Sequence, residues 1–239
     1  MKIARYRKES EVTYALGATV VMEYLNNAPE LVTAVILHPQ FRAEETIEKI
    51  ENITGQRGIP VSTEEKPFNI LSQKENCFVI AVITKKEKKL DPTDHVVLVN
   101  PSNAGNMGTI VRSCIGFGVN NLAIIKPAVD FFDPKTIRAS MGACARINVE
   151  TFDSFDDYLR KYPGNNLYPF MLDGSTKLQN TEIKEPFALI FGNEATGLPS
   201  DFRNIGSPIR IEHGSGIDSL NLPIAASIAL YSATDKRFS

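Results

Sequence analysis

The sequence predicts an α/β protein in two parts, a small α/β domain followed by a larger domain built on a mostly parallel sheet. Three observations carry this. Short apolar runs of strand length alternate with amphipathic helical patterns. The later runs are apolar throughout, as strands covered on both faces are. Between the two parts lies TKKEKKLDPTDH, a polar stretch without hydrophobic periodicity that holds Asp91-Pro92 and reads as a linker. The resulting division is 1–83, 84–94 and 95–239.

Taken in order, a helical pattern runs from about Val12 to Leu25, followed by the strand-like LVTAVIL (31–37). A charged helix is expected at about 42–53, a short strand at 59–61 and an apolar strand in CFVIAVI (77–83). Beyond the linker the strands are HVVLV (95–99), LAIIK (122–126), LYPFML (167–172), FALIF (187–191) and PIRI (208–211). Helical patterns fall between them at about 106–117 and 153–161, with a last one at 219–233.

A chain of 239 residues, 43% hydrophobic and 23% charged, is long enough to bury a core of ordinary composition. No apolar run approaches the roughly 20 residues that span a bilayer, and no apolar stretch follows the basic N-terminus as in a secretory signal. Cys77, Cys114 and Cys144 are odd in number and far apart, and read as buried or free thiols in a reducing, cytoplasmic compartment. With only His38, His95 and His213 besides, no metal-ligand spacing is present and no metal is expected. A net charge of −2 gives no whole-chain signature of nucleic-acid binding. The local clusters Lys2, Arg5, Arg7, Lys8 and Lys85, Lys86, Lys88, Lys89 fit solvated lysines and phosphate contacts equally well.

Three motifs stand where strands meet loops. The first, NPSNAGNMGTIVRSCIGFG (100–118), feeds a helix whose apolar stripe is Met107, Ile110, Val111, Cys114 and Ile115. Arg112 lies on the other face among Gly108, Thr109 and Gly116, which suggests close approach by a partner; an ordinary salt bridge would also explain it. Neither a dinucleotide G-x-G-x-x-G nor a Walker loop is present. The second, LIFGNEATGLPSDF (189–202), ends a buried strand in Gly192-Asn193-Glu194, where glycine lets a ligand lie against bare backbone. The third, IRIEHGSGIDSLNLPIAASIALY (209–231), enters a last helix through a glycine-rich turn. Asp218, Ser219 or Asn221 can cap that helix without any function, and His213 reads as a loop histidine.

Together, in this order and spacing, the motifs closely resemble the SpoU (TrmH-like) family of RNA ribose 2′-O-methyltransferases of the SPOUT superfamily. The N-x5-R pattern is Asn106 and Arg112; F-G-N-E-x-x-G-L is Phe191 to Leu198; S-L-N is Ser219, Leu220 and Asn221. IRASMGACARINV (137–149) also resembles a family segment, and residues 1–83 are similar, more loosely, to an L30e-like substrate-binding domain. The resemblance implies a C-terminal trefoil knot and S-adenosylmethionine as methyl donor, contacted by backbone of Gly192, Ile211 and Leu220. It implies that Asn106, Arg112, Glu194, Ser219 and Asn221 surround the reacting ribose of ribosomal RNA, or less favoured, transfer RNA. It also implies a homodimer through the final helix and first motif. Arg112 is expected to clamp phosphate, because guanidinium stays protonated, with Glu194 or water assisting proton removal. Two departures stand out. Ile211-Glu212-His213 replaces Ile-Pro-Met and places charge beside the donor, and Pro223 follows S-L-N where Ser or Ala is common. The competing readings are a non-catalytic RNA-binding protein retaining the fold and a methyltransferase acting on base or protein.

Overall fold

In the computed structural model, residues 3–71 and 76–238 are described; Lys2 of the N-terminal basic cluster lies outside them. The chain forms two compact units, one of residues 1–86 with 130–146, the other of 87–129 with 147–239.

The first unit holds β1 (Val12–Leu16), α1 (Ala18–Asn27), β2 (Val32–Leu37), α2 (Glu44–Arg57), β3 (Val61–Thr63), α3 (Lys66–Leu71) and β4 (Val79–Thr84). Their sheet has the order β1-β4-β2-β3, with β4 antiparallel to both neighbours and β3 parallel to β2. The stretch read as one helix from Val12 is therefore a strand and then a helix. Gly17, at φ 99°, makes the break, since such a conformation ends regular structure on either side. Tyr14, Ile36, Phe68, Ile80 and Val82 form this unit's core.

The second unit is a five-stranded, wholly parallel sheet. In chain order it comprises β5 (His95–Val99), α4 (Ala104–Gly116) and β6 (Asn121–Ile125). After α5 (Pro134–Ala139), which belongs to the first unit, come β7 (Asn148–Phe152), α6 (Phe155–Lys161), β8 (Asn166–Pro169), β9 (Thr176–Lys177), β10 (Phe187–Phe191), β11 (Ile209–Arg210) and α7 (Leu222–Thr234). The strand order is β7-β6-β5-β10-β8, and β9 and β11 form a separate parallel pair. Every residue of β5, β6 and β10 is buried, as their unbroken apolar runs require. The order reverses between β5 and β10, so their carboxyl ends open the crevice where parallel sheets bind ligands.

The stretch 84–94 is fastened rather than loose. Lys88 N–H donates to Val149 O, the Glu87 carboxylate accepts from the Thr151 hydroxyl, and Asn121 accepts from Asp91 N–H. Residues 130–146 cluster with the first unit: Thr13 Oγ1 donates to Phe132 O at 2.6 Å and Arg146 pairs with Glu23. All three cysteines are buried, and burial pushes the Cys114 and Cys144 thiols up to about 12. Among the described residues, no helix is long and apolar enough to cross a membrane, and no cluster of three His, Cys, Asp or Glu could hold a metal.

Candidate active site

The three motifs converge on the crevice at the carboxyl ends of β5, β8 and β10. Glu194 joins the first two. Its carboxylate accepts from Ser102 N–H at 3.0 Å, Ser102 Oγ at 2.6 Å, Asn103 N–H at 3.1 Å and Asn106 Nδ2 at 3.2 Å. These are donors at the N-terminal end of α4, where backbone N–H groups lack helical partners and an anion is favoured. Burial raises the Glu194 carboxyl, but hydrogen bonds from the Ser102 side chain and backbone and from Asn106 outweigh it and hold it below the ordinary glutamate value.

Asn193 sets this geometry. Its side chain donates to Asn100 O at 2.8 Å and accepts from Ala195 N–H at 2.9 Å. Backbone bonds between Asn193 and Gly197 close the turn in both directions. A Cβ on Gly192 would lie 2.1 Å from Gly197 C and 2.3 Å from Leu198 N. Glycine is already required there by one backbone pressing on another.

Beside this turn is a cavity of about 500 Å³, within the range of small-molecule sites. Gly192, Glu194, Ile211, Ser219 and Leu220 line it; Asn106, Arg112 and Asn221 do not. Asn106 is tied to the site through Glu194. Arg112 is exposed on α4 and, among the described residues, forms no ion pair, which removes the salt-bridge explanation for it. Capping does not account for the third motif. Asn221 occupies the N-cap of α7, yet its side chain makes no capping bond there, and Ser219 is exposed on the loop before it.

A family model for the SpoU rRNA methylases matches residues 94–231, more than half of the chain. The chain belongs to the SpoU rRNA methylase family. Among its relatives, an uncharacterized tRNA/rRNA methyltransferase of Synechocystis is 27% identical over 162 residues, 65% of this chain but only 59% of that protein. The 23S rRNA (guanosine(2553)-2′-O)-methyltransferase of Bacillus subtilis is 26% identical, across 92% of this chain and 87% of its own length. The crystal structure of an AdoMet-bound rRNA methyltransferase from Sinorhizobium meliloti shares the fold at a TM-score of 0.83 and 24% identity, covering 98% of this chain and 90% of that one.

Of the motif residues, Gly192, Glu194, Ile211, Ser219 and Leu220 share one cavity and Asn106 joins them through Glu194, whereas Arg112 and Asn221 are not brought onto it. Two features escaped sequence reasoning. Ser102 and Asn103 are as much part of the Glu194 constellation as Asn106; only the strand-to-helix loop after β5 hinted at them. Glu212, expected to put charge beside the donor site, is turned away. It does not line the cavity, and it pairs with Lys177 at 2.8 Å and with Arg210 at 3.5 Å. His213 does line it, with Nδ1 3.0 Å from Ile211 O, so that Nδ1–H donates to that carbonyl.

Proposed function

We propose that this chain transfers a methyl group from S-adenosylmethionine to a ribose 2′-hydroxyl of RNA, ribosomal RNA ahead of transfer RNA. One observation carries the reading. Glu194 draws the start of α4 against the turn whose Gly192, with Ile211 and Leu220, lines the cavity. The residues fit such a donor. The walls near β10 and β11 are apolar or bare backbone, with the Phe170 and Phe191 rings stacked 4.7 Å apart and Ile209 fully buried. When bound, the donor supplies an electrophilic methyl on a sulfonium; Gly192, Ile211 and Leu220 would hold it through backbone groups.

The remaining roles belong to side chains. Arg112, permanently charged, unpaired and exposed, clamps a phosphate beside the reacting ribose and stabilises the charge that develops on the 2′-oxygen. It is not the proton acceptor, because a guanidinium has no acceptor site. Glu194 is a poor acceptor as well, since its oxygens are engaged by four donors and its carboxyl is held low. It positions Asn106, and the proton leaves to water. Ser219 and Asn221, whose side chains face solvent without a capping bond, complete the ribose surroundings.

The same reading includes a C-terminal trefoil knot, an L30e-like fold for the first unit, a homodimer and a cytoplasmic location. The knot is supported by the parallel pairing of β9 with β11, where a Cβ on Gly174 would lie 2.4 Å from Ile209 C. The dimer is supported by an apolar row on α7, Ile224, Ile228 and Tyr231, all exposed. Calorimetric titration with S-adenosylmethionine, followed by labelling of ribosomal RNA, tests the whole. Saturable binding and labelling lost on 2′-deoxy substitution are expected. No binding at millimolar donor, or label retained on 2′-deoxy RNA, overturns the reading.

A further inference from the structure

We infer that Asp173 and Arg203 form a subsite for the amino-acid end of the methyl donor, an inference that rests on the donor reading above. The charged or titratable side chains lining the cavity, among the described residues, are Asp173, Glu194, Arg203 and His213. Glu194 is committed to the start of α4, and His213 is bonded to Ile211 O. Three more charges stand close by in sequence but outside the lining. Lys177 and Arg210 both pair with Glu212, and Arg210 Nη1 also donates to Gly174 O at 3.0 Å. That leaves one pair of opposite charges, Asp173 and Arg203, in direct ion-pair contact on the cavity wall.

The pair sits at the open end. Its side chains are 49% and 58% exposed, whereas Phe191 and Ile209 on the same cavity are buried. The cavity thus has an apolar, partly aromatic interior, and its exposed rim, which also includes Leu172, Thr196, His213 and Ser219, carries this one pair of opposite charges. S-adenosylmethionine has the matching gradient, with a flat base and sugar at one end and an α-ammonium and α-carboxylate at the other. The forked guanidinium of Arg203 suits the carboxylate, and the free lone pairs of Asp173 suit the ammonium.

An exposed ion pair adds little to stability, so stability does not account for this placement. Both members are also held from beneath. Arg203 follows Phe202, which is buried against Phe155. Asp173 precedes Gly174, whose N–H donates to Met171 O and whose bare Cα lies against the Ile209 backbone. Both charges are thus held in position before a ligand arrives, which keeps the ordering cost of binding low.

The test compares three ligands by calorimetry on the full chain: S-adenosylmethionine, S-adenosylhomocysteine, and 5′-methylthioadenosine, which lacks the amino-acid end. Arg203→Ala and Asp173→Ala should each weaken the first two about tenfold, some 1.4 kcal/mol, and leave methylthioadenosine unchanged. Variants that bind all three as the wild type does overturn the subsite. Variants that lose methylthioadenosine by the same factor also overturn it, since the pair would then serve only to shape the loops. A wild-type chain that binds none of the three overturns the donor reading itself.

Discussion

Replacing Glu194 with glutamine removes the charge that joins the first two motifs while nearly keeping the shape of the side chain. In the wild type, one carboxylate oxygen accepts from Ser102 N–H and Oγ, the other from Asn103 N–H and Asn106 Nδ2. Glutamine retains one acceptor and turns an NH2 group toward the other pair of donors. Hydrogen bonds to a charged group contribute about 1.5–3 kcal/mol, and the helix terminus adds about 0.3–1 kcal/mol for the anion. Ser102 and Asn103 are exposed, so water replaces part of what is lost. The expected cost is about 1–2 kcal/mol. The chain has no tryptophan, so urea unfolding is best followed by far-UV circular dichroism.

The pH dependence has a definite sign. Burial raises the Glu194 carboxyl, but its hydrogen bonds hold it below the ordinary value of 4.5. Its stabilisation is therefore complete above the unfolded value and is lost as pH falls through the lower folded one. The gap between wild type and Glu194→Gln should be full at neutral pH and close below about 4.5. Methyl transfer should fall in the variant while the shape of its pH profile is kept. Equal stability at neutral pH, a gap that persists in acid, or the loss of an acid limb from the pH profile would refute the reasoning.

Arg112→Lys and Arg112→Ala should leave unfolding within about 0.5 kcal/mol of wild type, as an exposed, unpaired side chain predicts. Both should lower methyl transfer about 100-fold; near-normal turnover in the lysine variant would argue against a forked clamp. Gly192→Ala places a methyl among the backbone atoms of Gly197 and Leu198. It should cost about 1–3 kcal/mol and weaken donor binding, and an unchanged melting curve would contradict the close approach. On the proposed dimer, the unchanged chain should sediment as a dimer in analytical ultracentrifugation and Tyr231→Asp, on the apolar row of α7, as a folded monomer; a monomeric unchanged chain, or a variant that sediments like the dimer, would contradict that contact.

The central strands were legible because short unbroken apolar runs such as HVVLV and FALIF have the length and composition of strands covered on both faces. The start of the chain was not, because VTYAL and ATVVMEYL join into one apparent helical pattern unless Gly17 is taken as a stop. α5 was missed although Asp133 and Pro134 mark its start, with Asp133 accepting from Lys135 N–H. β9, two residues long, has no period to detect. At the site, residue types could point to Glu194 and Asn106 but not to Ser102 and Asn103, which lie about ninety positions back from Glu194 along the chain. Gly192 shows the opposite limit. Its identity was readable and its reason was not, since the constraint comes from Gly197 and Leu198 folding back over it.

The first unit is not a module in the cut-and-paste sense. The polypeptide passes between units at Lys86–Glu87, returns at Val129–Asp130 and leaves again at Arg146–Ile147. A break in the stretch 84–94 would strip β1 of α5, which packs on it, and would leave Ile137, Ala143 and Cys144 without the surface that buries them. Exchange of this unit between homologues, by recombination or by design, must therefore move two separated segments together. A chimera joined at the polar stretch alone inherits half of an interface from each parent.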